Sequence, residues 1–357
     1  MALDAEARTR PLPWLPPSLP RLLRWMLAVP LGLLLLWTAG AIAWLPLPVA
    51  LPARGVLALV FAALALAALW RARSRWPVAA AVAVSATMLL AWSSVRPSND
   101  RPWRPDVAVM PRVAIDGDRV RISGYRDFVY RSRDDFTERW EERELRLSDI
   151  RGVDFFVSRW QPGPIVHTFV SFDVAGAEPV AVSIEVRNQV GQRFDPLRGL
   201  YRHFQLAYVA GDERDIVGLR THHRGEEVLL YHTTASPQAA QRLFRVYADR
   251  MTTVAEHPEF YNLFSNNCTV NIVRYANAAG RVGRWDIRHL VNAWSDRYLY
   301  AAGMLDTSIP FARLRELSRI DASAIVDDRD PEFSRLIRRG RPVPAVTARS
   351  TGGSRTR

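Results

Sequence analysis

The chain has 357 residues, of which 48% are hydrophobic, and its formal net charge is +12. All 48 basic residues are arginine, and no recognised nucleic-acid fold signature accompanies the charge, so we do not expect nucleic acid as a partner. The chain contains a single cysteine, Cys268, which excludes a disulfide within one chain.

The first 95 residues predict a membrane anchor. Residues 1–21 are polar and proline-rich, and we interpret them as a cytoplasmic tail. Residues 22–95 contain three apolar segments, near 22–45, 51–70 and 78–95, and each is close to the ~20 residues that cross a bilayer. Arginines before the first segment and between the second and third place both regions in the cytoplasm by the positive-inside rule. The rest of the chain then lies in the periplasm of a bacterium, outside the inner membrane.

A two-span arrangement is the alternative to this topology. The second apolar segment is the weakest, because Pro52 and Arg54 stand at its start. Arg96, Arg101 and Arg104 also lie on the side that three spans make external, against the usual charge distribution. Two spans would place the remaining domain in the cytoplasm. We favour three spans and expect the lipid bilayer to be a partner.

The pattern after the anchor indicates an α+β domain. Residues 96–112 form a predicted linker rich in proline and arginine, and residues 113–337 form the predicted folded domain. Strand-like patterns come first and helical patterns follow, an order typical of α+β proteins. The predicted strands are 119–122, 153–158, 166–174, 180–186, 204–209 and 227–232, and the predicted helices are 237–252, 268–279 and about 290–304. Residues 338–357 lack apolar periodicity and are predicted to be a disordered tail.

Cys268 is a candidate nucleophile because it stands at the predicted start of a helix. Asn266 and Asn267 precede it, and asparagine side chains cap helix N-termini. A thiol in the first turn lies at the positive end of the helix dipole, which lowers its pKa and favours the thiolate. Backbone N–H groups at the same place can stabilise an oxyanion, so Asn267 is a candidate oxyanion-site residue. The alternative is a buried, inert cysteine that packs as a small apolar residue.

His167 is the preferred base for this thiol. It lies in an otherwise apolar predicted strand, where alternation puts it on one face with Phe169 and Ser171. The remaining histidines are weaker candidates in loops, turns or strand ends: His203, His222, His223, His232, His257 and His289. A zinc site formed by His222, His223 and His232 lacks strong ligand spacing, so we expect neither a metal nor a cofactor.

Glu185 is the candidate that would orient the imidazole, since a third group usually orients the base. It lies on the predicted strand after that of His167, and the two would be neighbours if these strands form a hairpin. Asp173 is a weaker rival. An exposed glutamate paired with Arg187 or Arg193 is the structural alternative.

Three further residues are candidates for substrate binding. Tyr261 precedes the Cys268 loop and can donate a hydrogen bond, although aromatic packing is the alternative. Arg214 lies in the charged turn 211–215 and Arg220 follows it. Either guanidinium can bind an acidic headgroup, and a structural role is the alternative for both.

This ordered series resembles the N-terminal periplasmic domain of Lnb-type lipoprotein N-acyltransferases, over roughly residues 115–303. The matching pieces are Arg126-Asp127-Phe128-Val129-Tyr130, Val153-Asp154, His167-Thr168-Phe169, Ser183-Ile184-Glu185-Val186-Arg187, Gly211-Asp212-Glu213-Arg214-Asp215, Leu219-Arg220-Thr221 and Asn266-Asn267-Cys268-Thr269. That family is similar to circularly permuted papain-like thiol enzymes, in which the histidine strand precedes the cysteine helix. The resemblance implies a papain-like fold with an antiparallel sheet and a cysteine-bearing helix.

The resemblance also implies thioester chemistry on a lipid or lipoprotein substrate. The Cys268 thiolate would attack an acyl ester, and an amine such as the N-terminal cysteine of a lipoprotein would then accept the acyl group. His167 would act as the base. A cysteine hydrolase acting on cell-wall peptides and a non-catalytic envelope binding module are the alternatives. The sequence leaves the acyl donor, the acceptor and the oligomeric state open.

Overall fold

The computed structural model describes residues 20–71, 74–281, 286, 288, 292–321 and 330–344. The chain divides into two compact units. The membrane unit comprises Met1–Pro97 and Phe194–Phe204, and the soluble unit comprises Ser98–Arg193 and Gln205–Arg357. Residues 1–19 of the predicted cytoplasmic tail, His289, and residues 345–357 of the predicted disordered tail lie outside the described residues.

The membrane unit contains three apolar helices: α1 (Arg21–Trp44), α2 (Leu51–Arg71) and α3 (Trp76–Ser94). Each contains an apolar stretch of 19 to 23 residues, long and apolar enough to cross a membrane. The three predicted N-terminal helices are therefore confirmed. Thr38 on α1 hydrogen-bonds to Ser85 on α3 over 2.8 Å, and both side chains are buried between the helices. This contact satisfies two hydroxyl groups that lipid could not.

An eight-stranded sheet organises the soluble unit. The strands among the described residues are, in chain order, β1 (Arg112–Asp116), β2 (Arg119–Arg126), β3 (Val129–Tyr130), β4 (Phe136–Thr137), β5 (Trp140–Arg146), β6 (Ile150–Arg159), β7 (His167–Val174), β8 (Val180–Arg187), β9 (Gln205–Gly211) and β10 (Glu227–His232). The main sheet has the order β1-β2-β9-β8-β7-β6-β10, with β5 also pairing with β2, while β3 and β4 pair separately. The pairs in the main sheet are antiparallel except for β2 with β9. The prediction of an α+β fold with an antiparallel-dominated sheet is confirmed.

The centre of the sheet is its apolar core. Strands β7 and β8 form an antiparallel hairpin, in which Phe169 pairs with Ser183. Phe169 stacks on Phe156 of β6, with 4.7 Å between ring centroids. On the opposite face Phe172 packs against Phe244. Buried aromatic rings on both faces fix the register of β7, because a slip of one residue would exchange the two sets.

Helices follow the strands in the second half of the soluble unit, as the sequence predicts. They are α4 (Glu213–Gly218), α5 (Pro237–Glu256), α6 (Cys268–Ala278), α7 (Ser295–Ala301), α8 (Phe311–Leu317) and α9 (Phe333–Leu336). A π-helical turn, Leu219–His223, continues directly from α4. Helix α5 supplies Phe244 and Tyr247 to the core, and its N-cap Ser236 accepts from the backbone of Ala239.

Ordered contacts extend beyond the predicted edges of the folded domain. Residues 98–112, most of the predicted linker, belong to the soluble unit, and Trp103 Nε1 donates to the Asn99 carbonyl over 2.7 Å. At the other end Arg338, the first residue of the predicted disordered tail, donates to Asp154 and Glu213 over 2.6–3.0 Å. Both edges are held by arginine or tryptophan contacts that a search for apolar periodicity does not detect.

Candidate active site

Helix α6 begins at Cys268, and the preceding loop fixes its first turn. Asn267 is the N-cap, with its side-chain oxygen accepting from the Val270 backbone N–H over 2.9 Å. The Asn267 amide nitrogen donates to the Leu263 carbonyl, so the same side chain ties the loop to the helix. Cys268 as a whole is 6% exposed and is therefore buried. Cys268 therefore stands where the orphan N–H groups of a helix start lie.

His167 is the first residue of strand β7, and its side chain hydrogen-bonds with the Cys268 thiol. Each of the two groups therefore shifts the pKa of the other. Burial by itself would raise the pKa of Cys268, but His167 together with the backbone and hydroxyl of Thr168 lowers it to about 7. Burial would likewise lower the pKa of His167, but the charge of Glu185 and the contact with Cys268 raise it to about 9. Between these two pH values the pair is a thiolate and an imidazolium.

Glu185 and Ser183 hold the far side of the imidazole. Ser183 Oγ lies 2.7 Å from His167 Nε2 and donates to Glu185 Oε1 over 2.6 Å. The same carboxylate oxygen is 3.3 Å from His167 Nε2. Burial would raise the pKa of Glu185, but His167 and Arg220 hold it well below its ordinary value. Because Nε2 is engaged by these two residues, Nδ1 is the nitrogen left for the thiol.

Arg220 lies behind Glu185 rather than open to a headgroup. Its Nη2 donates to Glu185 Oε1 over 2.5 Å, and its Nη1 donates to the Ile216 carbonyl over 2.6 Å. The guanidinium lies 4.9 Å from the centroid of the Phe169 ring, and the side chain is 4% exposed. The π-helical turn that carries Arg220 is a form often found at functional sites. The arginine keeps Glu185 ionised and fixes its position.

The comparisons with known proteins identify this part of the chain. Residues 136–294 match the family model of the Lnb N-terminal periplasmic domain. We refer to these matched residues of the soluble unit as the Lnb-type domain. Searches of curated proteins and of solved structures find no match, and the papain-like resemblance is not shown. With three apolar helices before it, the Lnb-type domain makes this chain a membrane protein with a periplasmic domain.

Two further predicted residues of the Lnb-type domain lie in different places. Tyr261 is buried near the candidate site, and burial together with the charges of Cys268 and Glu185 raises its pKa. Arg214 pairs instead with Asp212 over 3.0 Å and with Asp127 over 3.7 Å. Tyr261 thus lies within range of the thiolate charge, whereas Arg214 has acidic partners outside this cluster.

The structure also shows where two weaker candidates, Asp173 and His232, lie. Asp173, the rival to Glu185, is exposed at the end of β7. His232 Nδ1 lies 2.6 Å from Asp154, within a buried ion-pair cluster that also contains Arg338 and Glu213. Among the described residues, no group of three His, Cys, Asp or Glu side chains is placed to hold a metal ion.

Sequence reasoning assigned no role to three hydroxyl side chains of the Lnb-type domain. Ser183 shares a strand face with Glu185, so alternation could have suggested its contact with the imidazole. Thr168 bonds to Thr269 over 2.9 Å, and Thr269 Oγ1 lies 3.8 Å from Cys268 Sγ. Thr168 alternates to the opposite strand face from His167, which is why face-based reasoning did not connect it with the thiol.

Proposed function

We propose that this protein is a membrane-anchored periplasmic cysteine acyltransferase of the bacterial inner membrane, working through a thioester on Cys268. One observation carries the proposal. A thiol with its pKa lowered to about 7 lies beside a buried imidazole whose pKa is raised to about 9. Such a pair supplies a nucleophile and a proton donor at the same pH. The Lnb-type domain and the three membrane helices support a substrate that lives at a bilayer.

The first half-reaction forms the thioester. The Cys268 thiolate attacks the carbonyl carbon of an acyl ester, and the carbonyl oxygen becomes an oxyanion. Collapse of this intermediate breaks the ester C–O bond, and the leaving alcohol takes a proton from the His167 imidazolium. The neutral imidazole stays fixed by Ser183 and Glu185.

The second half-reaction transfers the acyl group to an amine. The amine nitrogen attacks the thioester carbonyl, and its surplus proton passes to His167. The C–S bond breaks, and the leaving sulfur returns as a thiolate beside an imidazolium. The enzyme is then ready for another ester, with all protons accounted for.

The start of α6 supports stabilisation of the oxyanion in both steps. The first backbone N–H groups of a helix have no intrahelical acceptor, and those at Cys268 and Thr269 precede the capped N–H of Val270. Two N–H donors beside the nucleophile are the usual form of an oxyanion hole. The hydroxyl of Tyr261 is a third candidate donor, since it lies close enough for the thiolate charge to raise its pKa.

Covalent labelling of the detergent-solubilised full chain tests the proposal. We would add a phospholipid with an alkyne-tagged acyl chain and measure the acyl mass on the peptide that contains Cys268. Wild type should carry the adduct and Cys268→Ser should not. His167→Ala should label at least about tenfold more slowly, whereas His257→Ala, which changes an exposed histidine after α5, should label like wild type.

A second stage separates transfer from hydrolysis. A diacylated peptide with a free N-terminal cysteine is added to the labelled enzyme, and the products are resolved by mass. N-acylated peptide supports the acyltransferase, whereas release of free fatty acid alone would support a hydrolase. Equal labelling of wild type and Cys268→Ser would contradict both and leave a non-catalytic module.

A further inference from the structure

The membrane unit has several basic residues at its outer end, where the positive-inside rule predicts few. Because the periplasmic domain follows α3, the end of α3, the end of α1 and the start of α2 share the outer side of the membrane. Arg54 lies in the first turn of α2, and Arg198, Arg202 and His203 belong to Phe194–Phe204, which packs in the same unit. We name these three arginines, together with His203, the outer arginine cluster. The positive-inside rule gives no reason for it.

The segment that carries most of the cluster is docked on the helix ends. Tyr201 packs between Trp37 and Trp44, with ring centroids 6.0 Å and 5.3 Å away. A Cβ on Gly40 would lie 1.9 Å from the Tyr201 hydroxyl, so the helix surface leaves room for this ring only because residue 40 is glycine. The segment is therefore built into the helix bundle.

Arg202 is held at the end of α3 in a strained conformation. Its φ is +54°, a region that non-glycine residues rarely adopt. One guanidinium nitrogen donates to the carbonyls of Trp92, Ser93 and Val95 over 2.9–3.1 Å. The guanidinium also lies 3.8 Å from the centroid of the Trp92 ring. Strained residues of this kind are concentrated at functional sites.

The other members meet at the turn between α1 and α2. The Arg54 guanidinium donates to the Leu45 carbonyl, and the imidazole of His203 hydrogen-bonds to the backbone of the neighbouring Trp44. Burial first, and then the charges of Arg198 and Arg54, lower the pKa of His203. The two arginines therefore act on the same imidazole.

One carboxylate accompanies the arginines in the described part of the membrane unit. Residues 20–97 and 194–204 contain one acidic residue, Asp195, whose Oδ2 lies 3.5 Å from Arg198 Nε. At this end of the described unit, Arg54 Nε and Trp92 Nε1 are buried N–H donors without a hydrogen-bond acceptor, and Arg198 Nε has the ion pair with Asp195 but no hydrogen bond. Buried donors without acceptors are costly, so a site that contains several of them calls for an anionic acceptor.

We propose that the outer arginine cluster binds the phosphate of an anionic phospholipid in the outer leaflet. Guanidinium groups present parallel N–H donors that fit phosphate oxygens. The tryptophans around the cluster suit the level of the headgroups, where amphipathic rings accumulate. This proposal stands apart from the proposed function, because no step of it involves Cys268.

Native mass spectrometry of the detergent-solubilised full chain tests the site. The protein is titrated with phosphatidylglycerol, with phosphatidylcholine and with inorganic phosphate. Wild type should bind one phosphatidylglycerol about tenfold more tightly than phosphatidylcholine. The double variant Arg54→Gln/Arg198→Gln should lose about tenfold or more in phosphatidylglycerol affinity. The matched control Arg313→Gln/Arg335→Gln changes two exposed arginines of the soluble unit and should bind like wild type.

A substitution that removes negative charge, and should strengthen binding, distinguishes a specific loss of lipid binding from structural damage. Asp195→Asn removes the carboxylate that pairs with Arg198, and it should therefore tighten phosphatidylglycerol binding. If the double variant does not fold, the single variant Arg198→Gln takes its place, with a smaller loss expected. Unchanged affinity in folded arginine variants, or weaker binding in Asp195→Asn, would overturn the proposal. Equal competition by inorganic phosphate at the same concentration would assign the site to free phosphate and overturn the lipid.

Discussion

Replacing Glu185 by glutamine tests how the thiol is activated. The substitution keeps the size of the side chain and its ability to hydrogen-bond to Ser183, but it removes the negative charge 3.3 Å from His167 Nε2. Arg220 remains, with its own positive charge beside the imidazole. The imidazolium then loses its counter-ion and keeps a repulsive neighbour, so the pKa of His167 falls. A neutral imidazole no longer stabilises the Cys268 thiolate, so the pKa of the thiol rises.

The expected magnitude follows from the thiol pKa. With a pKa of about 7, about half of Cys268 is thiolate at pH 7. If the pKa returns to its ordinary value of 9.0, about 1% is thiolate at that pH. The alkylation rate at pH 7 should therefore fall by about 50-fold when the reversal is complete. At pH 10 both proteins are largely thiolate, so the two rates should converge.

Alkylation by iodoacetamide measures this directly, because the chain has one cysteine. The second-order rate is followed by mass spectrometry between pH 5.5 and 10 in wild type and in Glu185→Gln. Glu144→Gln is the control, since Glu144 is an exposed carboxylate that pairs with Arg119 and Arg121 elsewhere on the sheet. Its profile should match that of wild type.

Two results would refute the reasoning. An unchanged midpoint in Glu185→Gln would mean that the glutamate does not set the charge of His167. A loss of rate that persists undiminished at pH 10 would mean that the substitution closed access to the thiol, since the thiolate population no longer differs there.

Three further outcomes are expected. Acyl transfer in wild type should rise through about pH 7 and fall through about pH 9, because it needs a thiolate and an imidazolium together; a single-limbed pH profile of the rate would contradict this. Gly40→Ala should lower the melting temperature, since its Cβ would lie 1.9 Å from the Tyr201 hydroxyl, whereas Gly32→Ala has open space and should be neutral or stabilising by up to about 1 kcal/mol. Asp154→Asn should destabilise the folded protein by about 3 kcal/mol in denaturant unfolding because it breaks a buried ion-pair cluster, whereas Asp173→Asn on an exposed site should change little.

Features that depend on local order along the chain could be predicted from the sequence. The apolar lengths predict the three membrane helices, and two asparagines before a cysteine predict the N-cap of α6. Alternation around His167 and Glu185 predicts that they face the same side of a hairpin, and the structure has them 3.3 Å apart. In each case the decisive contact lies within one element or between neighbouring strands.

Features that depend on distant charges could not be predicted in this way. Strand β5, with the sequence Trp-Glu-Glu-Arg-Glu-Leu-Arg, has too few apolar residues to show a strand pattern, yet it pairs with β2 through cross-strand ion pairs. Arg338 and Asp154 are 184 positions apart in the sequence and still form an ion pair. In the sequence of an arginine-rich chain, many carboxylates are equally plausible ion-pair partners for a given arginine. Only the fold determines which pair forms.

The difficulty of predicting contacts between distant charges also explains why the sequence and the structure suggest different roles for Arg220. From the sequence it is a free cation near a charged turn, which suits a headgroup. In the structure the Arg220 guanidinium already forms an ion pair, because it lies within hydrogen-bond distance of the Glu185 carboxylate. A guanidinium that holds the Glu185 carboxylate cannot also hold a phosphate without giving up this contact. For a lipid phosphate, Arg54 and Arg198 are the better candidates, because the Nε–H of each lacks a hydrogen-bond acceptor. The division of labour that follows is testable in one pair of variants: Arg220→Gln should shift the pH profile of Cys268 alkylation, and Arg198→Gln should leave that profile unchanged.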